Sequence, residues 1–90
     1  MQLTRSMAEA WSAGDSGITC NAIAPGFFQT GLTAPLFNDE GVIAALARQT
    51  ILGRNGRFED LHGLTVFLAS PASGYITGQT ISVDGGWSAK

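Results

Sequence analysis

The chain has 90 residues, of which 44% are hydrophobic and 13% charged, and a net charge of −2; it is more apolar and less charged than an average soluble domain. At this length it forms one small domain with little stability to spare, no apolar run approaches the ~20 residues of a membrane span, and the opening MQLTRSMAEA lacks the apolar core of a signal peptide. Five basic residues scattered singly make no nucleic-acid patch, and one cysteine with one histidine makes neither a disulfide nor a zinc set, so the expectation is a cytoplasmic protein with no nucleic acid, membrane or metal partner.

In chain order, residues 2–13 (QLTRSMAEAWSA) set Leu3, Met7, Ala10 and Trp11 at helical spacing, with Arg5, Glu9 and Ser12 elsewhere. That is the period of an amphipathic helix, with Gly14 as its stop. Residues 18–24 (ITCNAIA) form a short apolar run between Gly17 and Pro25-Gly26, which predicts a strand covered on both faces, as in a parallel sheet. Cys20 within it reads as a buried small hydrophobe.

Gly31 to Glu40 carries Pro35 and two apolar clusters, Leu32 and Leu36-Phe37, and reads as a loop. Val42 to Thr50 (VIAALARQT) returns to helical composition, with Asp39 and Glu40 at its front, where the helix dipole favours negative charge. ILGRNGRF holds a turn at Asn55-Gly56, flanked by Arg54 and Arg57, which read as solvated. A further helix follows: Leu61, Leu64, Thr65 and Leu68 share one face, Glu59 and Asp60 lie in the first turn, and the helix ends near Ser70-Pro71. His62 has no partner in reach by sequence and reads as a solvated helix residue. Thr80 to Val83 (TISV) has strand composition and closes at Asp84-Gly85-Gly86.

The order helix, strand, helix, helix, strand gives the α/β class, with a right-handed parallel βαβ unit. Two parallel strands alone are a poor fold, because each needs a neighbour and cover on both faces.

Several stretches, in order, resemble the short-chain dehydrogenase/reductase family, in its branch of sugar-acid and polyol dehydrogenases similar to gluconate 5-dehydrogenase. LTRSMAEAW is similar to the helix after the family's catalytic Tyr-x-x-x-Lys, and GITCNAIAPGFFQT to its sixth strand and Pro-Gly turn. GRNGRFEDLHGLTVFLASPASGYITGQTISVDGG is similar to its last helix and seventh strand. The resemblance implies that residues 1–90 are the C-terminal segment of a Rossmann-type doubly wound parallel sheet, a single domain but an incomplete one.

It also implies a cofactor, NAD or NADP, and a reaction interconverting a secondary alcohol and a ketone. Pro25 and Gly26 would let the backbone approach the nicotinamide ring, the amide of Phe28 would bond the carboxamide, and Thr30 would offer its hydroxyl to the same group; fixed donors of this kind orient one ring face for hydride transfer. The segment from Gly31 to Thr50 would shape the substrate pocket. No residue here receives a catalytic role. The sequence has no Tyr-x-x-x-Lys and no glycine-rich loop between a strand and a helix; Tyr75 and Lys90, the lone tyrosine and lysine, stand far apart.

The expectation is therefore a chain that is silent by itself and binds no cofactor alone. Two alternatives stand beside it: an interaction module that associates with itself or with an intact homologue, and a truncated gene product without function. In the family the last helix and strand build a subunit interface, so the resemblance implies a homo-oligomer through Leu64, Leu68, Ile81 and Trp87. Trp11 fits either a core or an interface, and Trp87 reads as an exposed aromatic anchor. Phe58 stands where the family often has proline, which loosens the entry to the last helix. Met1 stands where similar enzymes carry a branched apolar residue, so the chain is expected to start at an internal GTG of a longer reading frame.

Overall fold

The computed structural model of the chain describes residues 2–28 and 39–90. Its elements are helix α1 (Gln2–Trp11), strand β1 (Ala22–Pro25), helices α2 (Glu40–Arg48) and α3 (Glu59–Leu68), and strand β2 (Thr80–Val83), with single 3-10 turns at Pro71–Ser73 and Trp87–Ala89. The element order is the one the sequence pattern predicts.

β1 and β2 pair in a two-stranded sheet. The ladder is parallel: the Ala22 N–H donates to the Gln79 carbonyl at 2.8 Å and the Gly26 N–H to the Val83 carbonyl at 2.9 Å, so residue numbers rise together along both strands. Even-numbered residues of β1 thus turn their N–H toward β2. Pro25 falls on the other parity, where its missing N–H removes no rung. Along β2 the exposed Thr80 and Ser82 alternate with the less exposed Ile81 and Val83. This strand therefore has one covered face, whereas in β1, the strand expected to be covered on both faces, Ala22, Ile23 and Ala24 are all half-buried.

β1 also starts later than the apolar run predicts. Residues 18–21 lie outside it and are held by side-chain hydrogen bonds instead. The Ser16 hydroxyl donates to the Trp11 carbonyl at 2.7 Å and accepts from the Ile18 N–H at 3.2 Å. The Asn21 amide donates to the Ile76 carbonyl at 3.0 Å and accepts from the Gln79 N–H at 3.1 Å. A strand is only as long as its partner, and β2 begins at Thr80.

The chain divides into two compact units: Met1–Ala24 with His62–Ile81, and Pro25–Leu61 with Ser82–Lys90. In the first, α1 buries Thr4 and Ala8. The apolar face Leu3, Met7, Ala10 and Trp11 is not the buried one: Leu3 is 68% exposed and Trp11 50%. On the buried face the small Ala8 lies against the chain before β2, where a Cβ on Gly78 would sit 3.5 Å from the Ala8 Cβ, an ordinary contact. Ser12 and Thr77 hydroxyls bond at 2.8 Å, and the Thr77 oxygen accepts from the Cys20 N–H at 3.0 Å. Cys20 is half-buried instead of buried. On α3 the leucines at 61, 64 and 68 are half-covered, as the pattern predicts, together with Asp60, but Thr65 is exposed.

In the second unit Asp39 caps α2. Its Oδ1 accepts from the Gly41 N–H at 2.8 Å and the Val42 N–H at 3.3 Å, satisfying donors that a helix start leaves open. Beyond α2, the buried Thr50 ties its loop together. Its hydroxyl donates to the Ala47 carbonyl at 2.8 Å and accepts from the Gly53 and Arg54 N–H groups at 2.9 and 3.2 Å.

Candidate cofactor-facing turn

The Pro25-Gly26 turn ends β1 within the second unit. Pro25 is exposed, and the backbone beyond it is fixed from two sides. At Gly26 a Cβ would lie 2.9 Å from both Cα and Cβ of Asp84, closer than side chains tolerate. The sequence reading gives Gly26 the task of admitting a ring; packing against Asp84 already demands a glycine.

Two residues on, Phe28 forms an isolated parallel bridge with Gly56. The Gly56 N–H donates to the Phe27 carbonyl at 2.9 Å. The Phe28 side chain is buried at 7% exposure and lies over Gly56. Phe27 in turn meets Trp87 edge-on, ring centroids 4.9 Å apart, an arrangement that aromatic pairs prefer. Trp87 is half-buried by this contact and is not the exposed anchor expected of it.

The loop that carries Gly56 is clipped to the start of α3. Arg54 meets Asp60 through two nitrogens, Nη1 to Oδ2 at 2.8 Å and Nη2 to Oδ1 at 3.0 Å, the bidentate geometry that suits guanidinium and carboxylate. The Arg57 N–H also donates to Asp60 Oδ2 at 2.8 Å, like the return half of a capping box. Arg54 is therefore engaged, and not the freely solvated residue expected. Asp60 does more than complement the helix dipole. The hydrogen bond from Arg54, then that from Arg57, holds its carboxyl well below the usual aspartate range. Asn55 adds a further tie, its amide donating to the Ile43 carbonyl at 3.0 Å.

Between the Phe27-Phe28 segment, the Arg54–Gly56 loop and Val83–Gly85 lies a pocket of about 190 Å3. Asp84 stands on its rim as a carboxylate: bonds from Ser88, and from the Gly86 N–H to Oδ1 at 3.0 Å, lower its pKa. Neither Asp60 nor Asp84 is poised to give up a proton near neutrality. His62 is exposed on α3, and Tyr75 is fully exposed before β2. No cluster of three or more His, Cys, Asp or Glu that could hold a metal occurs among the described residues, and no helix among them is long and apolar enough to cross a membrane.

Of the residues assigned to the ring by sequence, Pro25, Gly26 and Phe28 form one continuous segment, and Thr30 lies outside the described residues. Sequence reasoning missed Gly56, Arg54, Asp60 and Asp84 as its supports. The available signal was an arginine six residues ahead of an aspartate in a helix's first turn, with glycine between them.

A parallel βαβ chain with a tight turn at the carboxyl end of its first strand belongs to the doubly wound α/β class, whose ligands sit at that edge. A family model described as enoyl-(acyl carrier protein) reductase matches residues 1–88, and the chain belongs to the short-chain dehydrogenase/reductase family. It is 46% identical over 85 residues to the 2-dehydro-3-deoxy-D-gluconate 5-dehydrogenase of Bacillus subtilis (strain 168), an alignment covering 94% of this chain and 33% of that protein. A tropinone reductase homologue of Arabidopsis thaliana is equally similar, at 46% over 85 residues, covering 94% and 32%. Among solved structures, the gluconate 5-dehydrogenase of Burkholderia cenocepacia, in complex with NADP and tartrate, superimposes with a TM-score of 0.90 at 39% identity, covering 99% of this chain and 34% of that one. The chain thus spans about a third of the length of these relatives.

Proposed function

We propose that this chain serves an NAD(P)-dependent oxidoreductase interconverting a secondary alcohol and a ketone on a sugar acid or polyol, with the turn at Pro25, Gly26, Phe28 and Thr30 facing the nicotinamide ring. One observation carries the reading: the match along residues 1–88, on a backbone that follows a gluconate 5-dehydrogenase solved with NADP. The substrate class rests on the names of the gluconate relatives. The equally similar tropinone reductase homologue supports the reaction class with another substrate, and the choice between them is assigned to the segment from Gly31 to Thr50.

The described residues fit one end of a dinucleotide. The turn ends a parallel strand at the edge where open α/β sheets bind ligands, Pro25 is exposed there, and the backbone after it is held from within. A bound nicotinamide would supply hydride chemistry. The chain's own part is to orient one ring face through the Phe28 amide and the Thr30 hydroxyl. With no glycine-rich phosphate loop and no Tyr-x-x-x-Lys in its 90 residues, the chain is silent by itself. The phosphate grip and the proton donor come from a nucleotide-binding segment of the same family.

A second reading, association as an interaction module, is favoured by Leu3 and Val66, which are 68% and 67% exposed. In that reading Leu64, Leu68, Ile81 and the outer edge of Trp87 lie near the contact between copies.

Calorimetric titration of the purified chain with NADP+ and NADPH tests the proposal. No saturable binding is expected, and micromolar binding contradicts the silent chain. The same titration of this chain fused behind the nucleotide-binding segment of the Bacillus relative is expected to saturate, with gluconate-dependent reduction of NADP+. A folded fusion that binds no cofactor removes the oxidoreductase reading.

A further inference from the structure

Gly56 looks at first like an ordinary turn residue. Its surroundings give it a narrower task. A Cβ on Gly56 would lie 2.5 Å from both Cε1 and Cζ of Phe28 and 2.8 Å from its Cδ1. The hydrogen of glycine is thus the one substituent that lets the buried Phe28 ring lie flat over this backbone while the Gly56 N–H reaches the Phe27 carbonyl. The two contacts fix residues 27 and 28 in position and height, beyond the point where pairing with β2 ends.

Gly56 is itself held still. Arg54 grips Asp60 with two bonds, the Thr50 hydroxyl accepts from the Arg54 N–H at 3.2 Å, and Asn55 is tied to α2. A loop anchored on both flanks carries one bare backbone position that meets one aromatic ring.

We propose that Gly56, locked by the Arg54–Asp60 clip, is a positioning residue that sets where the Pro25–Phe28 turn presents its backbone. The consequence for catalysis rests on the cofactor reading of that turn; the positioning itself does not. A methyl group at 56 pushes the Phe28 ring off the loop and carries the Phe28 amide with it. A shorter, flexible cation at position 54 keeps the charge and loses the two-pronged grip, so the loop shifts less.

The first arm uses the chain as it is. Backbone amide NMR spectra are recorded for Gly56→Ala and for a control, Gly63→Ala, where a Cβ meets nothing within 4 Å. Trp87 fluorescence is read alongside, because that ring touches Phe27. Gly56→Ala is expected to move the amides of Gly26, Phe27 and Phe28 and the Trp87 emission, while the amides of Ala8 and Ser73 stay in place. Adding Phe28→Leu is expected to reverse most of the movement, since the ring struck by the methyl is gone. Arg54→Lys is expected to give a smaller movement of the same amides, and it serves as the readout where Gly56→Ala does not fold. Amides at 26–28 that stay within the scatter of the Gly63→Ala control, in both variants, overturn the proposal.

The second arm uses the fusion that carries the nucleotide-binding segment. A misplaced turn is expected to lower kcat on the order of 10²-fold in Gly56→Ala with little change in the KM for NADP+. An unchanged kcat alongside displaced amides at 26–28 overturns the consequence for catalysis, not the placement of the turn. A parent fusion without turnover defeats the cofactor reading instead, and the amide spectra still decide the placement of the turn.

Discussion

Around α1 the buried residues are Thr4, Ala8 and Ser73, none of them large, while Leu3, Trp11, Val66 and Phe67 of the same unit face solvent. Around the Pro25–Phe28 turn a large aromatic is buried, and an ion pair, a capped helix and a threonine hub hold the loops beside it. The first unit is shaped by small residues and by side chains bonded to backbone, and bulky apolar groups of it are exposed. The second buries one large anchor, Phe28, although Ile51, Leu52 and Phe58 of that unit are exposed as well. The same type of substitution should therefore act on folding in one unit and on association in the other.

Removing the internal anchor is expected to have the largest effect. Phe28→Ala should destabilise the chain by about 3 kcal/mol, the low end of the range for buried phenylalanine, because one side of the ring already borders the open pocket. Urea unfolding followed by circular dichroism measures it, and a loss no larger than that of an exposed residue would break the contrast. Gly26→Val drives a side chain into Asp84 and should cost about 2 kcal/mol in the same assay. Asp39→Ala removes the cap of α2 and should cost about 1 kcal/mol.

Acid sharpens the comparison further. The carboxyl of Asp60 titrates lower in the folded chain than its unfolded value of about 3.9. Its contribution is therefore complete above about pH 4 and is lost as the pH falls through the folded value. Stability should be level from pH 7 to 5 and decline below 4, and Asp60→Asn should flatten part of that decline. Asp84, shifted the same way, keeps the remainder. The smallest effect is expected on the exposed face of α1. Leu3→Gln and Trp11→Gln should change the stability of the monomer by no more than about 0.5 kcal/mol, yet weaken any self-association seen by analytical ultracentrifugation. A loss of several times that size would mean the face is already buried.

Much of this was legible in the residues. Strand propensity and flanking turn signals located β2 to the residue, the acidic pair at 39–40 marked the start of α2, and Pro25-Gly26 marked the end of β1. The pattern failed where a competing partner decided the outcome. The apolar run from Ile18 reads as a strand, but Asn21 and Ser16 spend their side chains on backbone, and backbone pairing begins only at Cys20, with Gly78 ahead of β2. The stripe at Leu3, Met7 and Trp11 marks the more apolar side of α1, yet periodicity cannot say whether the chain itself covers that side. At the turn, sequence and resemblance named Pro25, Gly26, Phe28 and Thr30, of which Pro25 is exposed and Phe28 buried. Behind the turn, Gly56 is joined to it by a bridge to Phe28 that spans more than twenty positions and leaves no periodic trace, and the Arg54–Asp60 pair holds the loop that carries Gly56.

The account turns on which atoms meet the nicotinamide ring. The direct measurement is a nuclear Overhauser experiment on the fusion carrying the nucleotide-binding segment, with NADP+ bound and residues 25–30 isotopically labelled. The account predicts cross-peaks from the nicotinamide ring and carboxamide protons to Pro25, Phe28 and Thr30, all weakened in Gly56→Ala. Saturable NADP+ binding with no cross-peak to any residue of that turn would contradict it.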